Sequence, residues 1–197
     1  MIPVFMNDKY TFTLPSIEDI IENHGAIFYD CDGVLTDNRV LVTEQGSEAV
    51  FFNRSDGIAI SFFRENAIHQ AIISTETNDV VERRAEKLKL PVIHKLDSTG
   101  TDKGSVLSSY AEENNINLSH SIFIGNDIND LPALKLVGYP CCPADAEEEI
   151  LTFIKERTES LETCEKQPGE RGIKGAWIST RRGGYGVVRE MMRELGV

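Results

Sequence analysis

Residues 26–40 read AIFYDCDGVLTDNRV. An apolar run ends in two aspartates two residues apart, Asp30 and Asp32, followed by Gly33. Carboxylates so close raise each other's pKa and cost stability. A strand that drives straight into such a pair implies a positive partner at its end. Further along, short apolar runs alternate with amphipathic ones: HQAIIST (69–75), NDVVERRAEKLKL (78–90), PVIHKL (91–96), TDKGSVLSSYAEENN (101–115), HSIFIGND (120–127), INDLPALKLVG (128–138), YPCCPADA (139–146) and AEEEILTFIKERT (146–158). Strands alternating with helices predict parallel βαβ units and a doubly wound, Rossmann-like α/β sheet.

The spacing gives further elements. PSIEDIIENHG predicts a short helix capped by Ser16 and stopped at Gly25. RVLVTEQGSEAVFF predicts a β-hairpin, and SDGIAISFFREN a helix capped by Ser55 or Asp56. The expected organisation is an N-terminal extension (1–25), a core (26–157) with a hairpin flap at about 37–52, and a loop and C-terminal tail (158–197). Residues 158–176 are expected as loop, and WISTRRGGYGVVREMMREL as a glycine-rich basic turn with a helix.

The chain has 197 residues and a net charge of −12. That charge excludes a sequence-independent grip on nucleic acid or on an anionic membrane surface. It leaves room for a small anionic substrate, because local cations can invert the field inside a site. Cys31, Cys141, Cys142 and Cys164 form no C-x-x-C pair. Without a signal-like start or a long apolar run, a reducing cytoplasm is the expected location.

Ligands of open parallel sheets collect at the carboxyl ends of strands. Three predicted strands end there in Asp30, Ser74 and Asn126–Asp127, and Lys103 opens a helix between the last two. The set suits phosphoryl transfer through a carboxylate. One aspartate attacks phosphorus, and Asp32 protonates the leaving oxygen and then activates water. A hard cation such as Mg²⁺ would sit between the carboxylates and the phosphate oxygens. Lys103, Ser74 and the backbone around Gly33 would hold the phosphate.

DCDGVLTD, IIST, Lys103 and IGNDINDLPAL, in this order, resemble the four motifs of the haloacid-dehalogenase (HAD) superfamily. The intervals between them hold no large cap domain. With the hairpin, VERRAEKL and RRGGYGVVRE, the chain is similar to the capless phosphatases of 3-deoxy-2-ulosonic acid phosphates, which act on the 8-phosphate of the octulosonate KDO or on nonulosonate 9-phosphates. A related domain is fused to some sialic-acid cytidylyltransferases.

The resemblance implies a cytoplasmic, Mg²⁺-dependent homotetramer serving bacterial surface-sugar (lipopolysaccharide) synthesis. Asp30 is then the nucleophile and Asp32 the acid/base. Glu76, Arg84 and Lys87 would face the sugar acid, with Asn129 and Asp130 on the substrate side. Arg181, Arg182, Gly183 and Gly184 would close over a neighbour's site. Read from the residues alone, Arg84 belongs to a solvated helix face. Two departures from the family pattern stand out. Asn126 occupies a position where relatives carry a metal-binding aspartate, so that the resemblance implies Asp30, Asp32 and either Asn126 or Asp127 as metal ligands, and Thr75 replaces a glycine. The Asn126 departure keeps a second reading open, a non-catalytic assembly module of the same fold. A phosphatase of another small phosphate is a third.

Overall fold

The computed structural model describes residues 14–75, 79–94, 102–163 and 175–197. The chain runs α1 (Ile17–Glu22), β1 (Ala26–Tyr29), β2 (Leu41–Val42), β3 (Glu48–Ala49), α2 (Arg54–Glu65), β4 (His69–Ser74), α3 (Asp79–Leu88) and β5 (Val92–His94). It continues through α4 (Lys103–Glu113), β6 (Ile122–Ile124), α5 (Leu131–Leu134), β7 (Tyr139–Cys142), α6 (Glu148–Thr163), β8 (Trp177–Ile178) and α7 (Val187–Glu194).

Among the described residues the main sheet has the order β5-β4-β1-β6-β7-β8, and every pairing is parallel. All four residues of β1 are buried. That is why AIFY is a continuous apolar run rather than an alternating one: helices cover both faces. Successive side chains still divide between the faces. Ile27 and Tyr29 pack with α2, α3 and α7, while Ala26 and Phe28 pack with α4, α5 and α6. The chain leaves β1 toward β4 and β5, then returns to β6 on the other side. The topological switch therefore lies between β1 and β6, where a ligand crevice opens. No helix among the described residues is long and apolar enough to cross a membrane.

The doubly wound sheet expected from the sequence is present, and the hairpin forms as β2 and β3, with Leu41 opposite Ala49. Several boundaries differ. Helix α2 is capped by Asn53, whose Oδ1 accepts from Ser55 N at 2.9 Å, rather than by Ser55 or Asp56. Asp56 is thereby released for another partner. Ser16 caps α1 as expected, but the left-handed residue after it is His24 (φ 55°), not Gly25. A β-carbon at Gly25 would meet the His120 carbonyl oxygen at 2.1 Å. The expected helix from 128 is a short 3₁₀ turn (Ile128–Asp130) followed by the four-residue α5.

The stretch expected as loop, 158–176, is helical to Thr163, and residues 164–174 lie outside the described residues. Trp177–Ile178, read as part of a turn, is the sheet's sixth strand. A two-residue strand without a hairpin turn beside it carries too little periodicity to be seen in sequence.

Candidate active site

The β1 strand delivers Asp30 to the crevice. Asp30 N donates to Ile124 O at 2.9 Å, which locks the end of β1 to β6. The chain then turns through Cys31–Leu35, closed by Thr36 N donating to Cys31 O at 3.0 Å. Gly33 makes the turn with φ 86°, a left-handed value that favours glycine. A β-carbon there would strike the Asn126 side chain at 2.2 Å. Gly33 N donates to Thr36 Oγ1 at 3.3 Å, and Thr36 Oγ1 donates to Asp32 Oδ1 at 3.1 Å. Asp32 is thus oriented while half-exposed; Asp30 is buried.

Lys103 is the central cation. Asp102 caps α4 through Ser105 N, so Lys103 is the first residue of that helix. Its Nζ donates to Asp30 Oδ1 at 2.7 Å and to Asp130 Oδ1 at 2.5 Å, with its side chain 1% exposed. Burial pushes the Asp30 carboxyl well above the usual carboxylate range, with Asp130 adding to the rise and Lys103 opposing it. Desolvation pulls the Lys103 ammonium down, but Asp30 and Asp130 together outweigh it and hold the pKa above its ordinary value. The Lys103 ammonium therefore stays charged at neutral pH.

Asp130, expected on the substrate side, is an internal brace instead. It is fully buried, with one oxygen on Lys103 and the other accepting from Asn126 N at 2.8 Å and Asp127 N at 3.2 Å. A β-carbon at Gly125 would collide with it. The spacing alone could not separate a ligand from a brace three residues on. Asp127 caps the 3₁₀ turn, accepting from Ile128 N at 2.6 Å, and Asn129 is exposed on that turn.

Asn126 is buried beside Asp30. Its amide orientation follows from its hydrogen-bond partners. With the nitrogen toward Asp30, Nδ2 donates to Asp32 O at 2.7 Å and to Asp30 Oδ2 at 3.1 Å. Two oxygens, one carboxylate and one carbonyl, thus converge on one polar hydrogen-bearing group. Hard oxygens so placed fit a small divalent cation, and the Asn126 amide oxygen is a further donor if the side chain rotates. No group of three or more His, Cys, Asp or Glu residues among the described residues has the arrangement of a metal site.

Ser74 is buried at the end of β4, next to β1. Thr75 is exposed, and Glu76 lies outside the described residues. Arg84 does not reach the Asp30 cluster. Its guanidinium lies over the Phe52 ring, 5.5 Å from the centroid. Lys87 is exposed in the last turn of α3, the end that runs back from the strand tips.

The tail packs against the turn that follows β1 in its own chain, here the catalytic loop of the proposed mechanism. Gly184 N donates to Val34 O at 2.9 Å, and Gly183 N to Asp145 Oδ1 at 2.9 Å. A β-carbon at Gly183 would come within 2.0 Å of the Gly33 carbonyl oxygen. The resemblance placed these glycines over a neighbour's site; here backbone contact with residues 33–37 of the same chain occupies them. Arg181 is half-buried, with Nη1 donating to Tyr185 O at 3.1 Å, and Arg182 is exposed. Sequence reasoning missed Glu190, a buried carboxylate on α7 that accepts from Ser179 Oγ, Thr180 Oγ1 and Thr180 N and so fixes the base of this turn. A cleft of about 500 Å³ opens beside the turn, lined by residues that include Asp37, Arg39, Phe51, Asn53 and Tyr185.

The parallel sheet thus presents Asp30, Asp32 and Lys103 together at its switch point. Residues 17–163 match the family of haloacid dehalogenase-like hydrolases, and the chain belongs to that family. Within it, the chain goes with the phosphatases. It is 30% identical over 135 residues to the 3-deoxy-D-manno-octulosonate 8-phosphate phosphatase of Escherichia coli (strain K12), covering 67% of this chain and 70% of that protein. A crystal structure of the phosphatase of the same name from Moraxella catarrhalis, in complex with magnesium, phosphate and KDO, superposes with a TM-score of 0.68 at 26% identity, covering 90% of each chain. The N-acylneuraminate cytidylyltransferase A of Danio rerio is 25% identical over 144 residues, 72% of this chain. This chain spans only 31% of the length of that relative.

Proposed function

We propose that the chain is a divalent-cation-dependent phosphomonoesterase of a 3-deoxy-2-ulosonic acid phosphate, either KDO 8-phosphate or a nonulosonate 9-phosphate. The observation that carries this reading is the buried Asp30 carboxylate at the switch point, braced by Lys103, with half-exposed Asp32 two residues on. Asp30 attacks phosphorus, the ester P–O bond breaks, and an aspartyl phosphate forms. Asp32, oriented by Thr36, gives its proton to the leaving alkoxide. It then takes a proton from the water that attacks the aspartyl phosphate, releasing phosphate and restoring Asp30. Lys103 offsets the charge that gathers on the phosphoryl oxygens, and Ser74 stands at the neighbouring strand end. Asp30, the Asp32 carbonyl and Asn126 would hold Mg²⁺, which when bound supplies positive charge to the phosphoryl group and the aspartates.

The cleft beside Asp37 and Tyr185 would take the body of the sugar acid, and its Arg39 suits a carboxylate. Exposed Val40, Leu41, Val42 and Phe51 on and beside the hairpin support a homotetramer built through the flaps. A cytoplasmic place in surface-sugar synthesis fits the same substrates. The test is phosphate release from a panel of sugar-acid phosphates with Mg²⁺, using wild type and Asp30→Asn. Turnover that Asp30→Asn abolishes while remaining folded is expected. A folded wild type that releases phosphate from none of them would overturn the substrate.

The match to a third of a cytidylyltransferase and the amide at Asn126 support a second reading, an assembly module of weak activity. Undetectable Mg²⁺ binding at millimolar metal by calorimetry would favour it.

A further inference from the structure

Asp56 lies in the first turn of α2 and is 3% exposed. Its Oδ1 accepts from Arg189 N at 2.9 Å, in the first turn of α7. Gly186, at the N-cap of α7, has a φ of 91° and no side chain to cap that helix. Asp56 supplies the cap from across the packing interface, and α2 and α7 are close neighbours along that line.

Its second oxygen, Oδ2, is buried and has no hydrogen-bond partner among the described residues. The charged groups facing the carboxylate are Arg181 and Arg84, and Tyr29 is the other titratable group within its field. Arg181 approaches from the tail turn: its Nη1 would lie 2.6 Å from a β-carbon at Gly186, the N-cap of the helix that Asp56 caps, and Ser55 Oγ would lie 2.9 Å from it. Arg84 approaches from α3, with Nη2 3.6 Å from where a β-carbon would lie at Gly57, the residue after Asp56, and its buried Nε is likewise without a hydrogen-bond partner among the described residues. Burial pushes the Asp56 carboxyl up to about 6, against the pull of the Arg189 and Val188 amides and of both guanidinium groups. A carboxylate here costs stability that an amide would not.

The place of these groups gives the cost a purpose. Asn53 Nδ2, three residues before Asp56, donates to Gly184 O at 3.3 Å, and Gly184 rests on Val34 of the catalytic loop. Phe52, beneath Arg84, bridges Thr36 in the same loop.

We propose that Asp56 is a positioning residue: it holds the start of α7 through Oδ1 and sets Arg181 and Arg84 by charge at the rim of the catalytic loop, where they meet the anionic end of the substrate. This rests on the sugar-acid reading above, in which the substrate carries a carboxylate as well as a phosphate.

The test compares wild type, Asp56→Asn and Asp56→Ala as full-length protein. Asp56→Asn keeps an acceptor for Arg189 N and loses the charge. Its melting temperature at pH 8 is expected to equal or exceed that of wild type. The gap should close as pH falls through about 6, because the wild-type carboxyl then protonates. Its KM for the sugar-acid phosphate should rise about tenfold more than its KM for p-nitrophenyl phosphate, which has no carboxylate. Asp56→Ala loses the cap as well and should melt lower. A role confined to capping predicts the reverse for Asp56→Asn, an unchanged ratio of the two KM values, and that result overturns the proposal. If wild type hydrolyses no sugar-acid phosphate, the substrate reading fails and positioning is read from trypsin. Cleavage after Arg181 and Arg182 in the folded protein should be several-fold faster in Asp56→Asn, and an unchanged rate refutes it.

Discussion

Replacing Lys103 with methionine keeps the length of the side chain and removes its charge. In the native fold Nζ sits 2.7 Å from Asp30 Oδ1 and 2.5 Å from Asp130 Oδ1, closed off from solvent. The variant leaves two buried carboxylates against a thioether. Removing one partner of a buried pair costs about 3–5 kcal/mol, and here one cation serves two anions, so the upper half of that range is expected. A domain of this size loses about 2–4 °C in Tm per kcal/mol, so the midpoint should fall by roughly 8–20 °C. A loss that large takes a substantial share of the 5–15 kcal/mol or so that holds a typical domain together.

The assay is urea unfolding followed by circular dichroism at pH 7 with EDTA present. In wild type the Lys103 ammonium keeps its charge between pH 6 and 9, and its pairing with Asp30 should strengthen as pH rises through about 8, where the buried carboxyl ionises. A group whose pKa is raised by folding stabilises fully below its unfolded value, about 10.5, and loses that contribution only as pH climbs through the higher folded value. A deficit under about 1 kcal/mol, the worth of an exposed ion pair, would refute the view of Lys103 as the electrostatic centre of the site.

Asn126→Asp replaces a donor to Asp30 Oδ2 with a third carboxylate. Without metal it should lose about 1–3 kcal/mol, and added Mg²⁺ should raise its Tm more than it raises that of wild type; equal Mg²⁺-induced shifts in a thermal melt would count against Asn126 as a metal neighbour. Gly183→Ala puts a β-carbon 2.0 Å from the Gly33 carbonyl oxygen, forcing the tail off the loop. A loss of about 1–3 kcal/mol with the secondary structure retained is expected, and an unchanged unfolding midpoint would show that the tail does not pack on its own chain.

Local patterns carried the elements and the first layer of chemistry. AIFYD is legible as a buried strand because both of its faces are covered, which leaves no polar alternation. Asp30, Asp32, Ser74, Lys103 and Asn126 are legible as a set because each stands at the end of such a strand or at the start of the next helix. The misses share a cause. Asp130 looks like a ligand in sequence, and it is a brace because Lys103, 27 residues away, turns into it. Asp56 looks like a helix cap for its own helix, and Asn53 takes that role instead. Glu190 gives no signal at all, since its partners are two hydroxyls and a backbone amide at the far end of a turn.

By itself, then, the sequence determined a doubly wound α/β hydrolase and the residues at its strand tips, because periodicity and strand-end chemistry are written in neighbouring positions. Only the tertiary structure decided which charge faces which. It paired Lys103 with two aspartates, turned the Asn126 amide toward Asp30, and laid Gly183 and Gly184 on the loop of their own chain. Those contacts join residues tens to more than a hundred positions apart, and burial, which sets their strength, exists only once the chain has closed around them.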